Sequence, residues 1–234
     1  MLFRSYVRGA LKGRDEPLLA APLDGLNEQD CLALMALGRA AGLKTHHFKR
    51  FEALPLVKAV MGFLRGVQPR SLLDVGSGRG VFLFPFLRAF PLVPVTSLEI
   101  LEKRVAMLAA IHDGGVENLT ALNASICDWD APEASFDVVT LLEVLEHIPD
   151  VAAAVGNAVR LARRYVVVTV PSKPDDNPEH IHLLTKPALT ALFNRAGCAD
   201  LRFDAVPEDV IDGMLARLEP PERWEAQAVE WLCV

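Results

Sequence analysis

Along the first seventy residues, apolar side chains recur at intervals of three and four, the period of a helix packed on one face. Asn27-Glu28-Gln29-Asp30 offers a polar helix start before the periodic run CLALMALGRAAGL, and Gly42 offers its end. A polar, basic stretch follows, Lys44-Thr45-His46-His47-Phe48-Lys49-Arg50. Leu54 to Leu64 then reads as a second apolar-faced helix leading into Pro69. Residues 1–68 are therefore expected to form a helical cap, and residues 69–234 the main body.

From Ser71 the pattern changes to short β-rich runs alternating with helical segments, which points to an α/β sheet of mostly parallel strands with crossover helices. Strands are expected at 71–75, 94–98, 119–122, 137–141, 165–170, 199–203 and 228–233. Helices are expected near 80–89, 101–112, 151–162, 186–196 and 208–217. Asp150 and Thr185 are good N-caps for the helices they precede, and Gly197 a good terminator. Pro85 falls inside the helix after the first strand, so it should kink that helix or delay its start. The Pro-rich connection 171–184 is long for a compact domain, and such loops are often functional.

Composition narrows the picture. A chain of 234 residues with a net charge of −6 can bury a full core, and its surface is not built as a whole to hold nucleic acid or anionic membrane. Cys31, Cys127, Cys198 and Cys233 form no CxxC pair, which argues for free thiols in a reducing compartment. No apolar run approaches the roughly 20 residues of a membrane helix. The first residues have no secretory pattern, so a cytoplasmic protein is expected.

The candidate chemistry begins at Leu72-Leu73-Asp74-Val75-Gly76-Ser77-Gly78-Arg79-Gly80. Glycines at the end of a strand let backbone approach a ligand, and the following helix start offers unpaired N–H donors. The spacing is GxGxG, whereas a dinucleotide turn is GxGxxG, which tilts away from nicotinamide enzymes. Nineteen residues past Gly80, at the end of the second expected strand, Glu99 can accept both hydroxyls of a ribose.

These residues resemble the first two motifs of the class I S-adenosylmethionine-dependent methyltransferases. Phe136-Asp137-Val138-Val139 and Glu143-Val144-Leu145-Glu146-His147-Ile148-Pro149-Asp150 resemble the family's fourth-strand region, nearest to the ubiquinone-biosynthesis O-methyltransferases. The resemblance implies a Rossmann-like, doubly wound, seven-stranded sheet, mostly parallel with an antiparallel last strand. It also implies that Asp74, Gly76, Ser77 and Gly78 surround the methionine end of the cofactor, with Glu143 nearby. Glu99 would hold the ribose, and Ile100 would pack on the adenine. The family's acid for the adenine amino group is replaced here by Ser125, beside the Ile126 N–H. Asp128 is the alternative partner, or else a solvent-facing loop acid.

Glu143, Glu146 and His147 stand at i, i+3 and i+4, so a helical turn would put two carboxylates and an imidazole on one face. Such a face is a plausible ligand set for Mg²⁺ or Mn²⁺. His180, with His182 as its alternate, would complete the site from the long loop, as a downstream histidine does in the resembling enzymes that methylate the terminal ribose of small RNAs. The competing reading is a loop-shaping element in which His147, without metal, is the general base. The expected function is transfer of a methyl group to a small-molecule acceptor, with O-methylation first. The alternatives are a metal-dependent RNA ribose 2′-O-methyltransferase and a noncatalytic cofactor-binding partner protein. The basic segment 44–50 is either a lid or a solvated helix end.

Overall fold

A computed structural model describes residues 2–22, 24–44, 48, 51–171, 173 and 176–204 in full, and residues 205–206 and 211–217 by their backbone. The expected strand 228–233, Cys233 and most of the basic segment 44–50 lie outside the described residues.

Among the described residues four helices precede the sheet: α1 (Leu2–Ala10), α2 (Pro17–Ala20), α3 (Glu28–Ala40) and α4 (Pro55–Val67). At the start of α3 the Asn27 side chain accepts from the Asp30 N–H while the Asp30 carboxylate accepts from the Asn27 N–H, each at 3.0 Å. Two orphan donors are thus satisfied at once. The body follows as β1 (Leu72–Val75), α5 (Leu83–Ala89), β2 (Val95–Glu99), α6 (Glu102–Asp113), β3 (Leu119–Asn123) and β4 (Phe136–Leu142). A single 3₁₀ turn (Leu145–His147) then leads to α7 (Val151–Leu161), β5 (Ala162–Pro171), α8 (Lys186–Arg195), β6 (Asp200–Val206) and β7 (Ile211–Arg217). Asp150 caps α7 through the Ala153 N–H at 2.9 Å, Thr185 caps α8, and Gly197 follows α8 with φ +89°. Pro85 delays α5: the helix begins at Leu83, so the proline sits in its first turn, where no intrahelical N–H is needed.

The sheet runs β3-β2-β1-β4-β5-β7-β6. Strands β1 to β5 are parallel, and β7 pairs antiparallel with both β5 and β6. Residues 211–217 are a correction to the helix expected at 208–217. Ile211, Met214 and Leu215 fit a helical period, but hydrogen bonding to β5 along the whole segment overrides that local preference. Alternate strand residues serve opposite faces. Leu72, Val138, Tyr165 and Val167 join α1, α4, α5 and α6 in one core. Leu73, Val139, Val166 and Val168 join α7 and α8 in the other.

Helix α1 lies on α6 at glycine distance: a Cβ on Gly9 would meet the Ala110 carbonyl oxygen at 1.8 Å, and one on Gly114 the Ser5 oxygen at 1.8 Å. Leu2 and Tyr6 of α1 and Val60 and Leu64 of α4 share the core of the sheet's first face. The strand order reverses between β1 and β4, which opens a crevice at their carboxyl ends, where open α/β sheets bind ligands.

Candidate functional site

The turn after β1 enters this crevice. Gly76, Gly78 and Gly80 have φ of +66°, +57° and +78°, a region that side chains disfavour. Their surroundings differ. A Cβ on Gly76 would stand 2.8 Å from a Val144 methyl, and one on Gly80 would stand 2.5 Å from the Phe84 ring. One on Gly78 would meet nothing nearer than 3.7 Å. Gly76 therefore lets the turn close against the loop after β4, Gly80 seats the start of α5, and at Gly78 a Cβ would make only ordinary van der Waals contact, with the Gly76 carbonyl and Arg104.

Asp74 is buried beneath that turn. It accepts from the Ser77 hydroxyl at 2.5 Å and the Thr140 hydroxyl at 2.7 Å. The Ser97 and Ser77 hydroxyls are 2.7 Å apart; with the Ser77 proton given to Asp74, Ser97 is the donor in that pair. Burial pushes the Asp74 pKa up to about 6, the two hydroxyl donors oppose the rise, and the charge of Glu99 adds to it.

Glu99 ends β2 and is 2% exposed. Its Oε2 accepts from the Gly78 N–H at 3.1 Å and from Arg104 at 3.3 Å, and its Oε1 from the Leu101 N–H at 3.1 Å. The strand end and the glycine turn are thereby joined through one carboxylate. Ile100, the next residue, is 69% exposed, an apolar surface where the adenine was expected.

Beyond it lies the loop after β3. The Ser125 hydroxyl accepts from the Cys127 N–H at 3.2 Å, Ile126 is buried, and Asp128 is exposed. Side chains that the sequence reading did not single out hold these parts. Asn123 donates to the carbonyls of Glu99 and Ile100 at 2.9 and 3.0 Å. Asn157 on α7 donates to the carbonyls of Ile126 and Trp129 at 2.7 and 2.9 Å, and Arg160 donates to the Asn157 side-chain oxygen at 2.8 Å. An asparagine among apolar helical neighbours was the one available signal: its amide satisfies loop carbonyls.

The acid and histidine cluster is reorganised relative to the expected helical face. Glu143 has φ +55° and precedes the 3₁₀ turn, its N–H bonded back to the Thr169 carbonyl at 3.0 Å. It therefore stands outside the group that the structure does assemble: Glu146, His147 and His180, with ligand atoms within 4.8 Å of one another. Glu146 is fully buried, and the two imidazole rings meet edge-on with centroids 4.7 Å apart. His182 is not in the group; its Nε2 is buried without a hydrogen-bond partner. His147 Nδ1 lies 2.9 Å from the Glu179 carbonyl oxygen. A carbonyl only accepts, so Nδ1 carries a proton, and in the neutral ring the lone pair is on Nε2, 3.9 Å from a Glu146 oxygen.

Residues 46–202 match a family profile described as "Methyltransferase domain". The chain is 34% identical over 123 residues to the ubiquinone biosynthesis O-methyltransferase of Paramagnetospirillum magneticum, covering 51% of this chain and 45% of that protein. It is 32% identical over 137 residues to the ribosomal RNA small subunit methyltransferase G of Ralstonia nicotianae, covering 50% and 60%. The chain thus spans about half the length of the curated relatives it matches. Among solved structures, the 1,6-didemethyltoxoflavin-N1-methyltransferase of Burkholderia thailandensis, with bound 1,6-didemethyltoxoflavin and S-adenosylhomocysteine, superposes with a TM-score of 0.59 at 19% identity. That match covers 86% of this chain and 93% of the other, and it shows the shared fold.

Proposed function

Because the chain belongs to the methyltransferase domain family, we propose that it binds S-adenosylmethionine and transfers the methyl group to a small-molecule acceptor, most simply to an oxygen. The observation that carries this reading is the junction of Glu99 with the Gly78 N–H of the glycine turn, next to the exposed Ile100. That cradle fits the cofactor: a carboxylate for the ribose, an apolar face for the adenine, and glycines where side chains would intrude. Ser125, the Ile126 backbone and Asp128 are the candidates for the adenine edge.

The bound cofactor supplies a methyl group already activated on a sulfonium, so the chain's task is alignment and management of the acceptor's proton. Asp74, Gly76, Ser77 and Gly78 hold the methionine end, with Glu143 at the rim. In the metal-free alternative, His147 Nε2 takes the acceptor proton, since the Glu179 carbonyl holds the neutral ring's proton on Nδ1 and leaves the lone pair on this nitrogen.

A divalent metal is the finer part of the proposal. One buried carboxylate and two imidazoles fit such an ion, and two nitrogen donors favour Mn²⁺ over Mg²⁺. Glu146, His147 and His180 would hold it, and it would lower the acceptor's pKa. Glu143, displaced by its backbone, is left out of the set.

The relatives named for ribosomal RNA keep nucleic acid as the second reading; the charge of −6 weighs against it. Among the described residues no helix is long and apolar enough to cross a membrane. Incubation with methyl-labelled cofactor should label a small phenolic or hydroxylated acceptor and leave ribosomal RNA unlabelled; the reverse result refutes the acceptor class. With that acceptor, EDTA should abolish transfer and Mn²⁺ restore it. Indifference to EDTA, with no metal by elemental analysis, leaves His147 as a metal-free base.

A further inference from the structure

A carboxylate has about four acceptor positions, two on each oxygen. In Glu99 three are taken, by the N–H groups of Gly78 and Leu101 and by the Arg104 guanidinium. Both positions on Oε2 are among them. A ribose diol held by one carboxylate places a hydroxyl on each oxygen, so one donor now on Oε2 has to leave. The Gly78 N–H is fixed by the backbone of the turn. Arg104 is a side chain about one-third exposed, its contact at 3.3 Å is the longest of the three, and it hangs on a flexible stem from the first turn of α6. Its Nη1 also stands 3.8 Å from where a Gly78 Cβ would be, which places the guanidinium beside the turn at Gly78.

Resting on the cofactor reading above, we propose that Arg104 is a displaceable occupant of the ribose position. It balances the buried Glu99 charge while the site is empty and swings into solvent when the diol arrives. Cofactor affinity is then set below what the cradle alone provides, because entry requires breaking an ion pair whose acid is buried. Arg104 acts through Glu99 and is a positioning residue.

The experiment compares S-adenosylhomocysteine with its 2′-deoxy counterpart by calorimetry on wild type, Arg104→Met and Arg104→Gln. The deoxy ligand has one hydroxyl and can use the free position on Oε1 without displacing Arg104. Arg104→Met is expected to bind S-adenosylhomocysteine about three- to tenfold tighter while binding the deoxy ligand within about twofold of wild type. Arg104→Gln, whose amide can still donate one hydrogen bond, should gain less. Weaker or unchanged binding of S-adenosylhomocysteine by Arg104→Met, or an equal gain for both ligands, overturns the inference. If wild type and variants alike fail to bind S-adenosylhomocysteine, the cofactor reading itself falls and takes the inference with it.

Discussion

Replacing Asp74 by Asn should change how stability depends on pH. The Asp74 pKa rises from 3.8 to about 6 on folding, chiefly because burial disfavours the charged form. A carboxyl with a raised folded pKa contributes its stability fully below the unfolded value and loses it as pH climbs through the folded value. A gap of about two units at 1.36 kcal/mol each amounts to about 3 kcal/mol, lost between about pH 4 and pH 6. Asn cannot titrate, yet its oxygen still accepts one of the two hydroxyls now bonded to Asp74, and the other hydroxyl can rotate. Urea denaturation of the ligand-free wild type and Asp74→Asn from pH 4 to pH 8 singles out this group, because titrations that do not interact with Asp74 cancel in the difference. The variant's stability relative to wild type should rise by about 3 kcal/mol across that window and level off above about pH 7. A difference that stays flat would refute the argument that Asp74 is held in a charge-averse environment.

Three further outcomes separate packing from binding. Gly80→Ala places a methyl against the Phe84 ring in a left-handed backbone and should cost about 3 kcal/mol, lowering Tm by roughly 6–12 °C. Gly78→Ala, whose methyl would make only ordinary van der Waals contacts, should cost only about 1 kcal/mol of stability, read in the same thermal melts, yet weaken cofactor binding. Asn157→Ala strips the carbonyls of Ile126 and Trp129 of a donor and should destabilise by about 1–3 kcal/mol, with weaker S-adenosylhomocysteine binding by calorimetry.

The central strands were legible because parallel strands covered on both faces read as short, nearly continuous apolar runs between turn signals. Leu72–Val75 and Phe136–Leu142 lie within a residue of where the pattern put them. The turn of glycines and Glu99 were legible for a related reason: backbone conformation and strand-end position follow from spacing alone. Helix α1 was not, because its placement depends on Gly9 and Gly114, two glycines a hundred residues apart that allow backbones to touch. Residues 211–217 carried a helical period that only pairing with β5 overrules. Glu143 was misplaced because its left-handed backbone, rare for a side chain of that size, breaks the assumed helical turn. Arg104 shows the same limit within the site itself: its charge is visible in the sequence, but its contact with the buried Glu99 comes from how α6 docks after β2.

The most direct test of the cofactor site is calorimetric titration of S-adenosylhomocysteine into wild type and Glu99→Ala. The wild type should bind, and the variant should bind at least roughly tenfold more weakly, about 1.4 kcal/mol, because a charge-assisted contact to the ribose is lost. Equal affinity in the two proteins, or no binding by the wild type, would contradict the assignment of Glu99 and the glycine turn as the cofactor cradle.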